Sequence, residues 1–199
     1  MLINNWETYT NETYLPQVEQ MEKEGTEFII KNSKPRGRGI SWADNIHPLL
    51  KDLYARAHSL KPKTIFEIGC AGGHNLYNLK KLIRGVKVAG CELLQSQVDV
   101  MAKKFNIPKT ITRKIFIMDF VKEALDIEKQ DFVFTNAVIM HLTEDDAIAF
   151  LNNANEMAEK YIYLSENQGQ HDYKKIFAVT GLDKYKIEPL KVGFFIDKT

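Results

Sequence analysis

The chain is short of the features that mark a special compartment or a charged partner. Its 199 residues include only two cysteines, Cys70 and Cys91, at no metal-ligand spacing. That scarcity argues for a reduced, cytoplasmic protein and against a disulfide-stapled one. No apolar run approaches the ~20 residues needed to cross a bilayer, so no membrane partner is expected. The opening stretch "MLINNWETYT" lacks the basic flank and apolar core of a signal peptide. Charge of one sign is missing too: 27 basic residues against 26 acidic leave a formal +1. Such a balance supplies no field to draw in nucleic acid, and none is expected as a partner. Repeats and low-complexity tracts are absent, and the oligomeric state stays open. What remains is a globular chain, 44% hydrophobic, able to bury one sizeable core.

From Lys63 onward, short apolar runs alternate with helical patterns. "TIFEIG" reads as a buried strand, followed by a helix through Leu76, Leu79, Leu82 and Ile83 that Gly85 ends. "VKVAGCE" is a second strand. Val98, Met101, Ala102 and Phe105 then share one helix face, with Pro108 beyond its end. "RKIFIMDF" and "DFVFTNAV" read as the third and fourth strands. Thr143 and Asp146 resemble a capping box opening a helix that carries Ala147, Phe150, Leu151, Ala154 and Met157 on one side. "YIYLSE" is a fifth strand, and His171 to Thr180 a short helix closed by Gly181. "KYKIEPL" and "VGFFIDK" leave no room for a helix between them and predict an antiparallel hairpin.

This order implies an α/β fold, doubly wound, with a seven-stranded, mostly parallel sheet and a terminal antiparallel hairpin. Residues 63–199 form that core, and residues 1–62 an N-terminal helical extension. The extension holds a helix-like segment around Leu15 to Lys31, a basic turn "KPRGRG" and an amphipathic stretch through Ile46, Leu49, Leu50, Leu53 and Ala57.

In a parallel sheet the ligand sits at the carboxyl ends of the strands. Gly69, Gly72 and Gly73 mark the turn after the first strand, where missing side chains let a ligand and the following helix come close. A phosphate-loop nucleotide would need Lys-Ser or Lys-Thr after the glycines, where His74 and Asn75 stand. A dinucleotide favours G-x-G-x-x-G, but the turn reads G-C-A-G-G-H, and the Glu67 carboxylate would repel a pyrophosphate. An acid there suits a cationic amino-acid group.

"EIGCAGGHN" resembles the first motif of the class I S-adenosylmethionine-dependent methyltransferases, in the variant E-x-G-C-x-x-G-x-N, and the resemblance runs through the core to Thr199. Ala71 departs from it, where many members have glycine. The resemblance implies S-adenosylmethionine as cofactor and no metal. It places Glu67 and Gly69 along the methionine part and makes the neighbouring Cys70, Ala71, Gly73 and Asn75 cofactor-binding residues. Glu92, followed by Leu93, is the acid that grips both ribose hydroxyls. Asp119 lies near the adenine amino group with Phe120 beside it, and Asn136 stands where cofactor meets acceptor. Asp119 also suits a helix cap for "FVKEAL". Cys70 and Cys91 suit small buried residues better than nucleophiles.

The expected activity is methyl transfer to a small molecule, with a sugar or natural-product hydroxyl as acceptor. A macromolecular methyltransferase docking RNA or protein on Lys34, Arg36 and Arg38 is one rival, and a non-catalytic cofactor-binding protein another. "TNAV" lacks the N-P-P-aromatic motif of members that methylate amino groups of bases. For a general base, His141 in "NAVIMHL" has an imidazole whose pKa of ~6.5 suits proton removal near neutrality. A His-Leu pair is frequent at this place in small-molecule members; packing between Met140 and the next helix is its structural alternative. Glu166 and His171, after the fifth strand, are reserve candidates. Trp6, Tyr9, Tyr14 and Trp42 offer walls for the acceptor side.

Overall fold

Strand β1 (Thr64–Ile68) shows why the sheet must be covered on both faces. Ile65 joins one buried cluster and Phe66 the other, as successive side chains point to opposite sides. The same alternation runs through Phe132 and Val133 of β4 (Gln130–Asn136), Tyr163 and Leu164 of β5 (Ala158–Ser165), and Phe195 and Ile196 of β7 (Phe194–Asp197). With β2 (Lys87–Glu92), β3 (Ile115–Ile117) and β6 (Lys186–Pro189), the computed structural model has one seven-stranded sheet. It describes residues 5–30, 46–123 and 125–199. The strand order is β3-β2-β1-β4-β5-β7-β6. The first five of these neighbours pair in parallel, and β7 runs antiparallel to both β5 and β6. Chain order reverses between β1 and β4, which opens a crevice beyond their carboxyl ends.

On one face lie α2 (Leu15–Lys23), α3 (Pro48–Leu60), α4 (His74–Leu82) and α5 (Gln95–Lys104); on the other lie α7 (Glu144–Met157) and α8 (Tyr173–Val179). Local chemistry sets their ends. Thr143 caps α7 by accepting the Asp146 N–H at 3.1 Å, as its spacing predicts. The first segment ends at Lys23, well short of Lys31. Gly25, at φ +79°, donates to the Glu22 carbonyl, and Thr26 to that of Met21, which is a Schellman stop. Ahead of α2, α1 (Trp6–Tyr9) and a π-helical turn over Thr10–Tyr14 extend the helix toward the N-terminus. The short α6 (Lys109–Thr112) precedes β3. No helix starts at Asp119 among the described residues. Its carboxylate accepts the Val121 N–H and its own N–H donates to Glu123, closing a turn in place of a helix start.

The N-terminal segment is tied to the sheet by a buried polar chain. The Ile30 N–H donates to Asn78 Oδ1 at 3.0 Å, and Asn78 Nδ2 donates to the Phe28 carbonyl and the Tyr54 hydroxyl. Tyr54 donates to Asn75 Oδ1 at 2.5 Å, and Asn75 Nδ2 to Glu67 Oε1 at 2.6 Å. Residues Lys34, Arg36, Arg38 and Trp42, named above, lie outside the described residues. Among the described residues no helix is long and apolar enough to cross a membrane.

Candidate active site

The carboxyl ends of β1 to β4 converge on a cavity of 490 Å³, a size suited to one small ligand. The turn after β1 supplies Gly69 and Ala71 to its wall. Gly69 sits at φ +72°, and a Cβ there would lie 2.4 Å from Val138 Cγ2, so both backbone and space demand glycine. Gly72 and Gly73 serve packing behind the wall. A Cβ on Gly72 would meet the Ala102 backbone nitrogen at 2.3 Å, while Gly73, at φ +79°, caps α4 against Ile111 and Ile115. Ala71 holds φ +45° and Ala137, also on the wall, φ +57°. Two alanines in the left-handed region put strain of order 1–3 kcal/mol each at the site.

Glu92 closes β2 and faces the cavity. Its two oxygens accept the N–H groups of Ala71 and Leu93, each at 2.8 Å. Burial raises its pKa, and these backbone donors pull it back only in part. A carboxylate has about four lone-pair sites, so acceptor capacity remains for hydroxyls. Glu67 lies behind Gly69 and is 1% exposed. Burial lifts its pKa well above the carboxylate range, the Asn75 amide opposes this, and the Glu92 charge adds to it. Its Oε2 is buried without a hydrogen-bond partner. Tyr14 lines the cavity, and its hydroxyl pKa is raised by burial and then by Glu67 and Glu92.

The other expected cofactor residues divide in two. Leu93, Asp119, Phe120 and Asn136 line the cavity. Asp119 also pairs with Lys122 at 2.9 Å, and Phe120 packs on Phe150 with centroids 5.2 Å apart. Cys70 and Asn75 do not line it: the Cys70 thiol is buried against Gly90, and the Asn75 amide is spent between Glu67 and Tyr54. Cys91 does reach the wall, with burial raising its thiol pKa to about 12. His74 is a core residue whose pKa burial lowers to about 4.

His141 ends a 3-10 turn (Ile139–His141), is 8% exposed and lines the cavity. The rings of Trp6 and Tyr9 pack on it, with centroids at 5.8 and 5.2 Å. The N-terminal helix therefore forms part of the roof, tied to α5 by the Thr10 hydroxyl on Gln97 at 3.1 Å and by Lys104 to Glu22 at 3.0 Å. Glu166 and His171 do not share the cavity with His141. Each is drawn back by backbone groups of the turn that carries His141. Gln97, Met118 and Lys122 line the cavity without having been singled out. Only Lys122, three residues after Asp119, carries a readable signal, an i,i+3 charge pair.

No protein-family model matches the sequence, and no curated protein matches it. Its structure is similar to many solved ones. A TehB-like S-adenosylmethionine-dependent methyltransferase from Corynebacterium glutamicum has a TM-score of 0.63 at 14% identity, over 94% of this chain and 96% of that one. Magnesium protoporphyrin IX methyltransferase from Synechocystis, with bound SAH, scores 0.61 at 13% identity over 95% of each chain. The methyltransferase domain of a bacterial Hen1 scores 0.58 at 18% identity, over 74% of this chain and 96% of that domain. A likeness at such identities is one of fold. With five parallel strands, a reversed β7 and a crevice at the β1/β4 reversal, the chain has the fold of the class I S-adenosylmethionine-dependent methyltransferases.

Proposed function

We propose that this protein is an S-adenosylmethionine-dependent methyltransferase that transfers the methyl group to a hydroxyl of a small molecule, a sugar or natural-product intermediate. The observation that carries this reading is the convergence of Gly69, Glu92, Asp119, Phe120, Asn136 and His141 on one cavity roofed by Trp6 and Tyr9. Its donor set suits the cofactor. Glu92 retains acceptor capacity for a vicinal diol, and the orphaned Glu67 Oε2 suits a neighbouring ammonium group. Asp119, Phe120 and Leu93 line the cavity, where the first two would border the adenine and Leu93 the ribose side.

The cofactor, when bound, supplies an electrophilic methyl on sulfur, which leaves the protein chiefly the task of alignment. Asn136 and the turn beyond β4 hold the acceptor side, and the His141 imidazole takes the hydroxyl proton. The Trp6 and Tyr9 rings exclude water from that face. A roof of this kind admits a small acceptor more readily than a folded polymer.

Incubation with methyl-labelled S-adenosylmethionine and fractionated cell extract tests the reading. Label in the small-metabolite fraction is the expected outcome. Label in RNA or protein assigns a macromolecular acceptor, and no label in any fraction leaves a cofactor-binding protein without transfer.

A further inference from the structure

Glu166 is the first residue after β5 and is 1% exposed, the most buried carboxylate among the described residues outside the strands that line the crevice. Its oxygens are committed to one short stretch of backbone. Oε1 accepts the Val138 N–H at 3.0 Å and the Thr135 hydroxyl at 3.4 Å, and Oε2 accepts the Met140 N–H at 3.1 Å. Between those two amides, the Ile139 carbonyl meets His171 Nε2 at 2.9 Å. Three consecutive residues, Val138 to Met140, are thus held by side chains from the connection between β5 and α8. The next residue is His141, seated on the cavity under Trp6 and Tyr9.

The approach to the turn is strained. Ala137 holds φ +57°, with its N–H on the Ser165 carbonyl at 2.8 Å. A left-handed alanine persists only where surrounding contacts over-determine it. Glu166 and His171 are those contacts on the far side of the turn. The groups facing Glu166 are the turn amides, Thr135 and Tyr173, whose buried hydroxyl has no partner and whose ring edges His171 at 5.8 Å. Burial raises the Glu166 pKa to about 7, and the Val138, Met140 and Ile139 amides and Thr135 oppose that rise. Those donors favour the ionised form and offset part of the cost of burying it.

Resting on the methyl-transfer reading of the cavity, we infer that Glu166 and His171 are positioning residues: together they fix the turn that presents His141 to the acceptor. Neither touches the reacting atoms. Their effect passes through the orientation of the imidazole and through the seat it offers the N-terminal helix.

The test is amide hydrogen exchange on the full chain, comparing wild type with Glu166→Ala, Glu166→Gln and His171→Ala. Removing the carboxylate leaves two partly buried N–H groups without their acceptor, so Val138 and Met140 in Glu166→Ala should exchange about tenfold faster or more. Amides of β4 and α7 should be unchanged. Glutamine retains one acceptor oxygen, so in Glu166→Gln one of the two amides should recover protection while the other stays fast. Where the alanine variant fails to fold, that split protection in the glutamine variant decides alone. In a Trp42→Phe background, Trp6 fluorescence should shift in Glu166→Ala and His171→Ala as its seat on His141 loosens. Titration with S-adenosylhomocysteine separates this inference from the functional reading. Absence of binding to wild type removes the methyltransferase reading, while the exchange pattern still decides positioning. Uniformly faster exchange across the chain, or unchanged Val138 and Met140, overturns the inference.

Discussion

Replacing Glu92 with alanine probes the cofactor reading most directly. The side chain is 6% exposed, faces the cavity and accepts the Ala71 and Leu93 N–H groups at 2.8 Å each. Two further bonds, to the hydroxyls of a ribose, would be charge-assisted and worth about 1.5–3 kcal/mol apiece before other costs. Part of that gain is offset, because burial already disfavours the ionised carboxylate, as its raised pKa shows. A net loss of roughly 2–4 kcal/mol follows, or about 30- to 900-fold in affinity. Calorimetric titration of Glu92→Ala with S-adenosylhomocysteine measures it, beside a thermal melt that reports the two orphaned amides. Glu92→Gln retains one acceptor oxygen and should fall between, near tenfold. An alanine variant that melts earlier but binds within about twofold of wild type would refute the reasoning: Glu92 would then only staple the β1–α4 turn.

Asn78→Ala should cost about 2–4 kcal/mol, because it removes the partner of the Ile30 N–H and of the Phe28 carbonyl and one of the bonds to the Tyr54 hydroxyl. Limited proteolysis should then cut near residues 26–30 first, and a cleavage pattern like wild type's would count against the network. Gly72→Ala drives a Cβ to 2.3 Å from backbone that cannot yield, so a loss of about 3 kcal/mol and roughly 6–12 °C in Tm is expected; an unchanged melt would contradict that geometry. Glu166 has a folded pKa of about 7 against an ordinary 4.5. Its contribution to stability is therefore full below about pH 4.5 and is lost as pH rises through 7, about 3 kcal/mol in all. Melts of Glu166→Gln from pH 5 to 8 should fall less steeply than wild type's, and parallel slopes would reject the assignment. His74, with a pKa lowered to about 4, acts in the opposite sense in both proteins and cancels in the comparison.

The sequence by itself determined the layered architecture. A strand buried on both faces must be apolar along most of its length, and "TIFEIG", "DFVFTNAV" and "YIYLSE" are. The glycine turn, with Glu67 near the end of the first strand and Glu92 closing the second, marked the crevice, because a positive φ and a close backbone approach leave few residue choices. Helix ends were harder: Gly25 stops α2 early through a local Schellman pair, and Asp119 closes a turn on itself. Only the tertiary structure decided what the buried polar residues do. Asn75 was expected at the cofactor, but Tyr54 and Glu67 take both ends of its amide. Glu166 and His171 were expected at the mouth, yet backbone groups 26 to 32 residues away draw them behind the turn. A buried polar group is satisfied by whatever donor or acceptor the fold brings within about 3 Å, and that neighbour leaves no local mark in the chain.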